Sequence, residues 1–163
     1  MFKLQDILKF NESDVKRMAQ NTVRRHKKQI QEGKDFKGTK FIGYSESYKA
    51  RKRKNQFKGQ KSNQINPPNL TLTGKMLNAF NVQRVKVKKN QEIQYLYGIK
   101  KNKQGTKMME HSTGVPEKNL PKRSIAENQQ LGDDVEEGVV KDFANTIGKN
   151  LSRMSKTHVK LNI

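Results

Sequence analysis

Asn81-Val82-Gln83-Arg84-Val85-Lys86-Val87-Lys88-Lys89-Asn90-Gln91-Glu92-Ile93-Gln94-Tyr95-Leu96-Tyr97-Gly98-Ile99 is the stretch on which the fold turns. Val82–Lys88 and 93–99 each alternate apolar and polar side chains, the period of a strand with one covered face. Val85 and Val87 share one face; Ile93, Tyr95, Tyr97 and Ile99 share another. Lys89-Asn90-Gln91 is a turn between them, so the pair reads as an antiparallel hairpin spanning residues 82–99. Arg84, Lys86 and Lys88 fall on its outer side and make that face basic.

Helical periods flank the hairpin. Over residues 11–33, Val15, Met18, Ala19, Thr22, His26 and Ile30 recur every three or four positions. Asn11 or Ser13 is the cap, Glu12 and Asp14 suit the first turn, Lys27 and Lys28 the last, and Gly33 stops the helix. At the other end Leu131, Val135, Val139, Phe143, Ile147 and Leu151 stand four apart, widened by Val140, Ala144 and Met154. This closing helix, 131–154, is expected to bury Phe143 and Ile147 against the hairpin. Gly132, Gly138 and Gly148 cost it helix propensity and suggest close approach of a strand or a neighbouring subunit. Shorter helices are expected from Thr71 or Thr73 to about Phe80, with Met76, Leu77 and Phe80 inward, and over Gln104–Ser112, closed by Gly114. Pro121–Ile125 reads as a brief extended segment. The fold class is α+β: a small antiparallel sheet packed by an N-terminal helix and a long C-terminal helix.

Residues 1–163 read as a single domain with two irregular parts. Residues 1–10 form an arm whose Phe2, Leu4, Ile7, Leu8 and Phe10 are apolar enough to pack. Residues 34–69 form an extended basic loop with a short helix over Ser45–Lys54, Tyr44 and Tyr48 on one face, and Pro67-Pro68 near its end. With so few apolar residues the loop is expected to depend on an external surface for its order. Lys49, Arg51, Lys52, Arg53 and Lys54 within it are candidate contacts to DNA or to an acidic partner, as are Arg84, Lys86 and Lys88.

The formal net charge is +20, carried by the first three quarters of the chain. Such a field attracts nucleic acid or acidic protein without regard to sequence. Cysteine is absent, so disulfides and thiolate chemistry are excluded. The three histidines have no metal-ligand spacing, no apolar run approaches the roughly 20 residues of a membrane span, and the first residues lack the apolar core of a signal peptide. No metal or cofactor is expected, and none of the phosphate-binding glycine motifs is present. Glu110 beside His111 is the nearest thing to an acid–base pair, but neighbours on a helix point apart. Asp133, Asp134, Glu136 and Glu137 could hold Mg²⁺ for nuclease chemistry; an acid-rich helix start is the simpler account. The chain is read as a non-enzyme.

A series of short motifs gives the basic frame a context. Tyr44-Ser45-Glu46-Ser47-Tyr48 comes first, then Leu70-Thr71-Leu72-Thr73-Gly74-Lys75-Met76-Leu77. Tyr97-Gly98 follows, then Glu110-His111 to Gly114, Pro121-Lys122-Arg123 and the closing helix. In this order, over about residues 10–155, the chain resembles the virion morphogenesis proteins of tailed phages, small proteins of head–tail joining and tail completion. It departs from them in the extended basic stretch 49–66 and in Ser124, where an aromatic often follows the arginine. The motif residues are Thr73, Gly74, Glu110, His111, Gly114, Pro121 and Arg123. The resemblance implies a homo-oligomeric ring, hexameric or dodecameric, at the neck of the particle, between portal or adaptor proteins and the tail. DNA would pass through the lumen, and no membrane is involved. Its location would be the virion, and the host cytoplasm during assembly. A sequence-independent nucleic-acid-binding protein is the alternative.

Overall fold

The computed structural model describes residues 8–68, 70, 74–88, 92–118, 120–123, 125 and 133–159, the last segment without the side chains of 133, 134 and 155–159. The described residues form four α-helices and a two-stranded antiparallel sheet. Helix α1 is Glu12–Gln31, α2 is Glu46–Arg53, β1 is Phe80–Val87, β2 is Ile93–Ile99, α3 is Lys103–Thr113 and α4 is Asp133–Val159. This is the α+β arrangement expected, a small hairpin packed by the N- and C-terminal helices.

Three of the helices begin where a side chain can satisfy free N–H groups. Asn11 Oδ1 accepts from Asp14 N at 2.8 Å, Ser45 Oγ from Tyr48 N at 3.4 Å, and Asn102 Oδ1 from Gly105 N at 2.9 Å. The strand register pairs Phe80 with Ile99, Val82 with Tyr97, Val85 with Tyr95 and Val87 with Ile93. An irregularity between Val82 and Arg84 shifts the alternation once. Both apolar sets therefore lie on the same side of the sheet, where the sequence periods alone suggested two faces. Arg84, Lys86 and Lys88 are exposed, as expected of the outer side.

The core is strung along α1 in two parts. One holds Val23, Ile30, Phe41, Leu70, Leu77, Phe80, Met108 and Ile125, with Tyr44, Tyr97 and Ile99 against them. The other gathers Phe10, Val15 and Met18 with Val85, Val87, Ile93, Tyr95 and Ile147. Phe10 is thus the anchor of the N-terminal arm; Phe2, Leu4 and Ile7 lie outside the described residues.

Three expectations need correction. The helix placed before the hairpin is only a single 3-10 turn, Leu77–Ala79, among the described residues, and Thr71 and Thr73 lie outside them. Phe80 belongs to β1 instead, because pairing with Ile99 draws it into the sheet. Next, the basic segment after α1 is anchored by burial. Phe36 and Phe41 are buried, Phe41 N donates to Gly33 O at 2.6 Å, and Lys52 is fully enclosed with its Nζ donating to Gln64 O. Burial lowers the Lys52 pKa from its ordinary value. Lys52 is consequently withdrawn as a candidate contact to DNA or a partner, whereas Arg51, Arg53 and Lys54 are exposed and Lys49 is partly so.

The third correction concerns α4. Its buried positions are Val135, Thr146 and Asn150, while Val140, Phe143 and Leu151 are exposed. Ile147 alone of the expected pair reaches the core; Phe143, 37% exposed, lays its ring on Phe10 with centroids 4.5 Å apart. Positions four apart drift by about 40° per step around a helix of about 3.6 residues per turn. Only part of the stripe, Val135 and Ile147, therefore faces inward, and polar contacts fill the rest of the buried line. α4 packs on α1, where Arg25 Nη1 pairs with Asp142 Oδ2 at 2.7 Å, Asn21 donates to Asp142 Oδ1, and Arg17 donates to Thr146. Turning the four-apart stripe inward would break these bonds at half-buried sites, where unmade hydrogen bonds are costly. Gly138 belongs to the same contact: a Cβ there would run into the Arg25 side chain. The close neighbour at that glycine is an arginine of α1, in place of the strand or neighbouring subunit expected.

Candidate functional site

Among the described residues, a cleft of about 500 Å³ opens beside the larger core. Its walls come from four places in the sequence: Tyr44 and Tyr48 at the start of α2, Leu70 and Gly74, Glu110 and His111 at the end of α3, and Pro121 and Arg123. α3 ends at Gly114, which has φ +78° and whose missing Cβ leaves room for Lys122 N and Leu120 O. The returning chain then lies against the helix: Val115 bridges Leu120, and Arg123 N donates to His111 O at 3.0 Å. Ser112 Oγ holds the next step by accepting from Ile125 N. Leu70, buried with φ +49°, is kept in that strained conformation by its apolar neighbours and by its N–H, which donates to Tyr44 Oη at 3.0 Å.

Arg123 is the central group. It is 5% exposed, and its Nη1 stands 3.2 Å from His111 Nδ1. A guanidinium only donates, so Nδ1 must be the unprotonated nitrogen of His111. Burial and the adjacent guanidinium push the His111 pKa down to about 4, so the ring is neutral at physiological pH. Arg123 also faces the Tyr44 ring at 5.6 Å, and the Lys52 ammonium faces the same ring at 4.9 Å. Tyr44, Tyr48 and Phe57 follow one another at 4.7 and 5.0 Å, with Arg51 over Phe57 at 4.6 Å. The cations thus rest on π faces at the two ends of this aromatic row, which offset part of the cost of burying charge. Burial, with Tyr44 beside it, pushes the Tyr48 pKa up to about 12.

Glu110 does not orient His111. It pairs with Lys118, while His111 turns to Arg123. With its lone pair engaged and its basicity depressed, His111 is poorly set to take up a proton near neutrality. The chemistry on offer is recognition: one buried guanidinium, the Lys107 ammonium, the Lys118–Glu110 ion pair, and aromatic and aliphatic walls.

Of the motif residues singled out in the sequence, Gly74, Glu110, His111, Pro121 and Arg123 line this cleft and Gly114 shapes it; Thr73 lies outside the described residues. Arg84, Lys86 and Lys88 stand away from it on the hairpin, with Lys88 paired to Glu92. Sequence reasoning did not assign Tyr44 and Tyr48 to the same site as Arg123, because nothing local links α2 to the segment after α3. Among the described residues no group of three or more acidic, histidine or cysteine side chains could hold a metal ion, and the side chains of Asp133 and Asp134 fall outside them. No described helix is long and apolar enough to cross a membrane. Comparison with protein families, with curated proteins and with solved structures finds no match for the chain.

Proposed function

We propose that this chain is a structural protein of the head–tail junction of a tailed phage, a neck subunit of a homo-oligomeric ring that joins the portal side of the capsid to the tail. The observation that supports the reading is convergence. Four of the short motifs that carry the resemblance, those around Tyr44-Tyr48, Leu70-Gly74, Glu110-His111 and Pro121-Arg123, meet around one cleft held by Gly114, Arg123 and His111; Tyr97-Gly98 and the closing helix lie apart from it. With His111 engaged by Arg123 and Glu110 by Lys118, the cleft suits docking better than proton transfer. The exposed Val140, Phe143 and Leu151 on α4 are in keeping with a subunit that assembles. The mechanism is geometric: each copy presents complementary surfaces to the structures above and below and closes the joint, with exposed arginines and lysines toward DNA or acidic neighbours.

The test is a phage stock in which this chain is not made. Full heads and separate tails should accumulate, and a tagged copy supplied in trans should restore joined particles with label at the neck. Normal joining in its absence would overturn the proposal.

A second reading has its own observation, the exposed Arg84 and Lys86 on the hairpin's outer face. A sequence-independent nucleic-acid-binding protein would use them on phosphates. DNA affinity of the free chain should then fall steeply with salt, and the slope should drop by about 2 when both are neutralised.

A further inference from the structure

We propose that the Arg123 cleft is a docking site for an acidic segment of a partner protein, which inserts a Glu or Asp carboxylate beside Arg123 and lays an adjacent apolar side chain on Tyr44 and Tyr48. The proposal stands on the cleft alone; it names a kind of partner for a neck subunit, yet holds or fails independently of that role.

Among the described residues Arg123 lacks a counter-ion. Arg123 is nine-tenths buried, and among the described residues no carboxylate lies within ion-pair distance of it. Its side chain makes one hydrogen bond, to the neutral His111, and its Nε–H is buried without a partner. A buried guanidinium normally comes paired, because burying charge is costly and an unmade bond adds to that cost. The π face of Tyr44 supplies part of the compensation and no acceptor for Nε. Nε itself is enclosed, so an incoming carboxylate meets the part of the guanidinium that lines the cleft, where charge-assisted hydrogen bonds can form.

Shape and charge agree. About 500 Å³ holds one or two side chains. Leu70, Met76, Leu120 and Pro121 provide apolar wall, and Lys107 and Lys118 stand near the charged part with Glu110 as the lone carboxylate. A nucleic-acid phosphate carries sugars on both sides, which keeps it from a guanidinium that is 5% exposed. A carboxylate on one or two methylenes can enter.

The test uses blocked tripeptides, acetyl-Phe-Glu-Gly-amide and its Gln counterpart, titrated into the full chain while the ring signals of Tyr44, Tyr48 and His111 are followed by NMR. The Glu peptide should shift these signals saturably, and the Gln peptide should bind about tenfold more weakly or worse, the value of one charge-assisted hydrogen bond. Arg123→Lys, which keeps the charge and loses the guanidinium, should weaken the Glu peptide similarly while leaving the His26 ring signals in place. Should that variant misfold, the Glu and Gln pair on the unaltered chain decides. Equal binding of the two peptides, or no saturable shift at millimolar concentration, overturns the proposal. So does a thymidine oligonucleotide that moves the same signals at lower concentration than the Glu peptide, since the anion recognised would then be phosphate.

Discussion

Acid should unfold this protein partly through one histidine. His26 of α1 is 4% exposed, between the rings of Phe80 and Tyr97 with centroids 5.6 and 5.5 Å away, and its Nε2 lies 3.4 Å from Tyr97 Oη. Burial pushes its pKa down from 6.5 to about 4. The unfolded chain takes up the proton as pH falls through 6.5, while the native chain refuses it until about 4. The unfolded state binds more protons in that window, so stability is level above it, declines as pH falls through it, and levels again below. The gap, at about 1.4 kcal/mol per pH unit, is worth about 3 kcal/mol, a large share of the stability of a small domain. His26→Phe keeps an aromatic ring between Phe80 and Tyr97 and removes the titration. Urea unfolding of both proteins at about pH 7, 5.5 and 4 should show the variant losing about 3 kcal/mol less than the parent across the range. Carboxylates and His111 contribute equally to both curves and cancel in the difference. Parallel curves would refute the reasoning, since they would mean that His26 is as free to ionise in the native state as in the unfolded one.

Other substitutions discriminate between buried and exposed positions. Gly148 lies on an exposed stretch of α4 with open space where an alanine methyl group would stand, so Gly148→Ala should raise the unfolding free energy by about 0.5–1 kcal/mol by urea titration. Replacing Arg51, Arg53 and Lys54 together by Ala should change stability by less than about 1 kcal/mol, whereas adding Lys52→Ala should cost a further 2–3 kcal/mol or so, because it empties a buried position and leaves Gln64 O without its donor. Phe143→Ala should cost about 1–2 kcal/mol, below the range for a fully buried phenylalanine, since the ring is 37% exposed and rests mainly on Phe10.

Much of the frame was legible from local pattern. The alternation of Val85, Val87, Ile93, Tyr95 and Tyr97 located both strands, and Asn11, Gly33 and Gly114 marked ends of helices, because such signals depend on residues a few positions apart. The motif residues of the cleft were also visible, but as separate words. Their meeting around Arg123 was not, since the hydrogen bond to His111 and the stacking on Tyr44 join α3, the segment after it and α2. Lys52 was misplaced for a related reason. In a run of Lys and Arg every member looks solvated, and only the fold of residues 57–68 over α2 encloses one of them.

Local pattern in the sequence was enough for the four helices, the hairpin and their order, for the sign of the surface and for the absence of thiol chemistry. It was not enough for the turn before the hairpin, where pairing with Ile99 drew Phe80 into a strand. The tertiary structure decided which face of α4 is buried, which cation is internal, and which histidines resist protonation. α4 is the clearest case. Its four-apart apolar stripe winds around the helix, and the contacts of Arg25, Asn21 and Arg17 of α1 with Asp142 and Thr146 mark the line that meets α1. Periodicity measures how apolar a helix face is. What that face meets depends on partners more than a hundred residues away, and satisfying buried polar groups outweighed covering Val140 and Leu151.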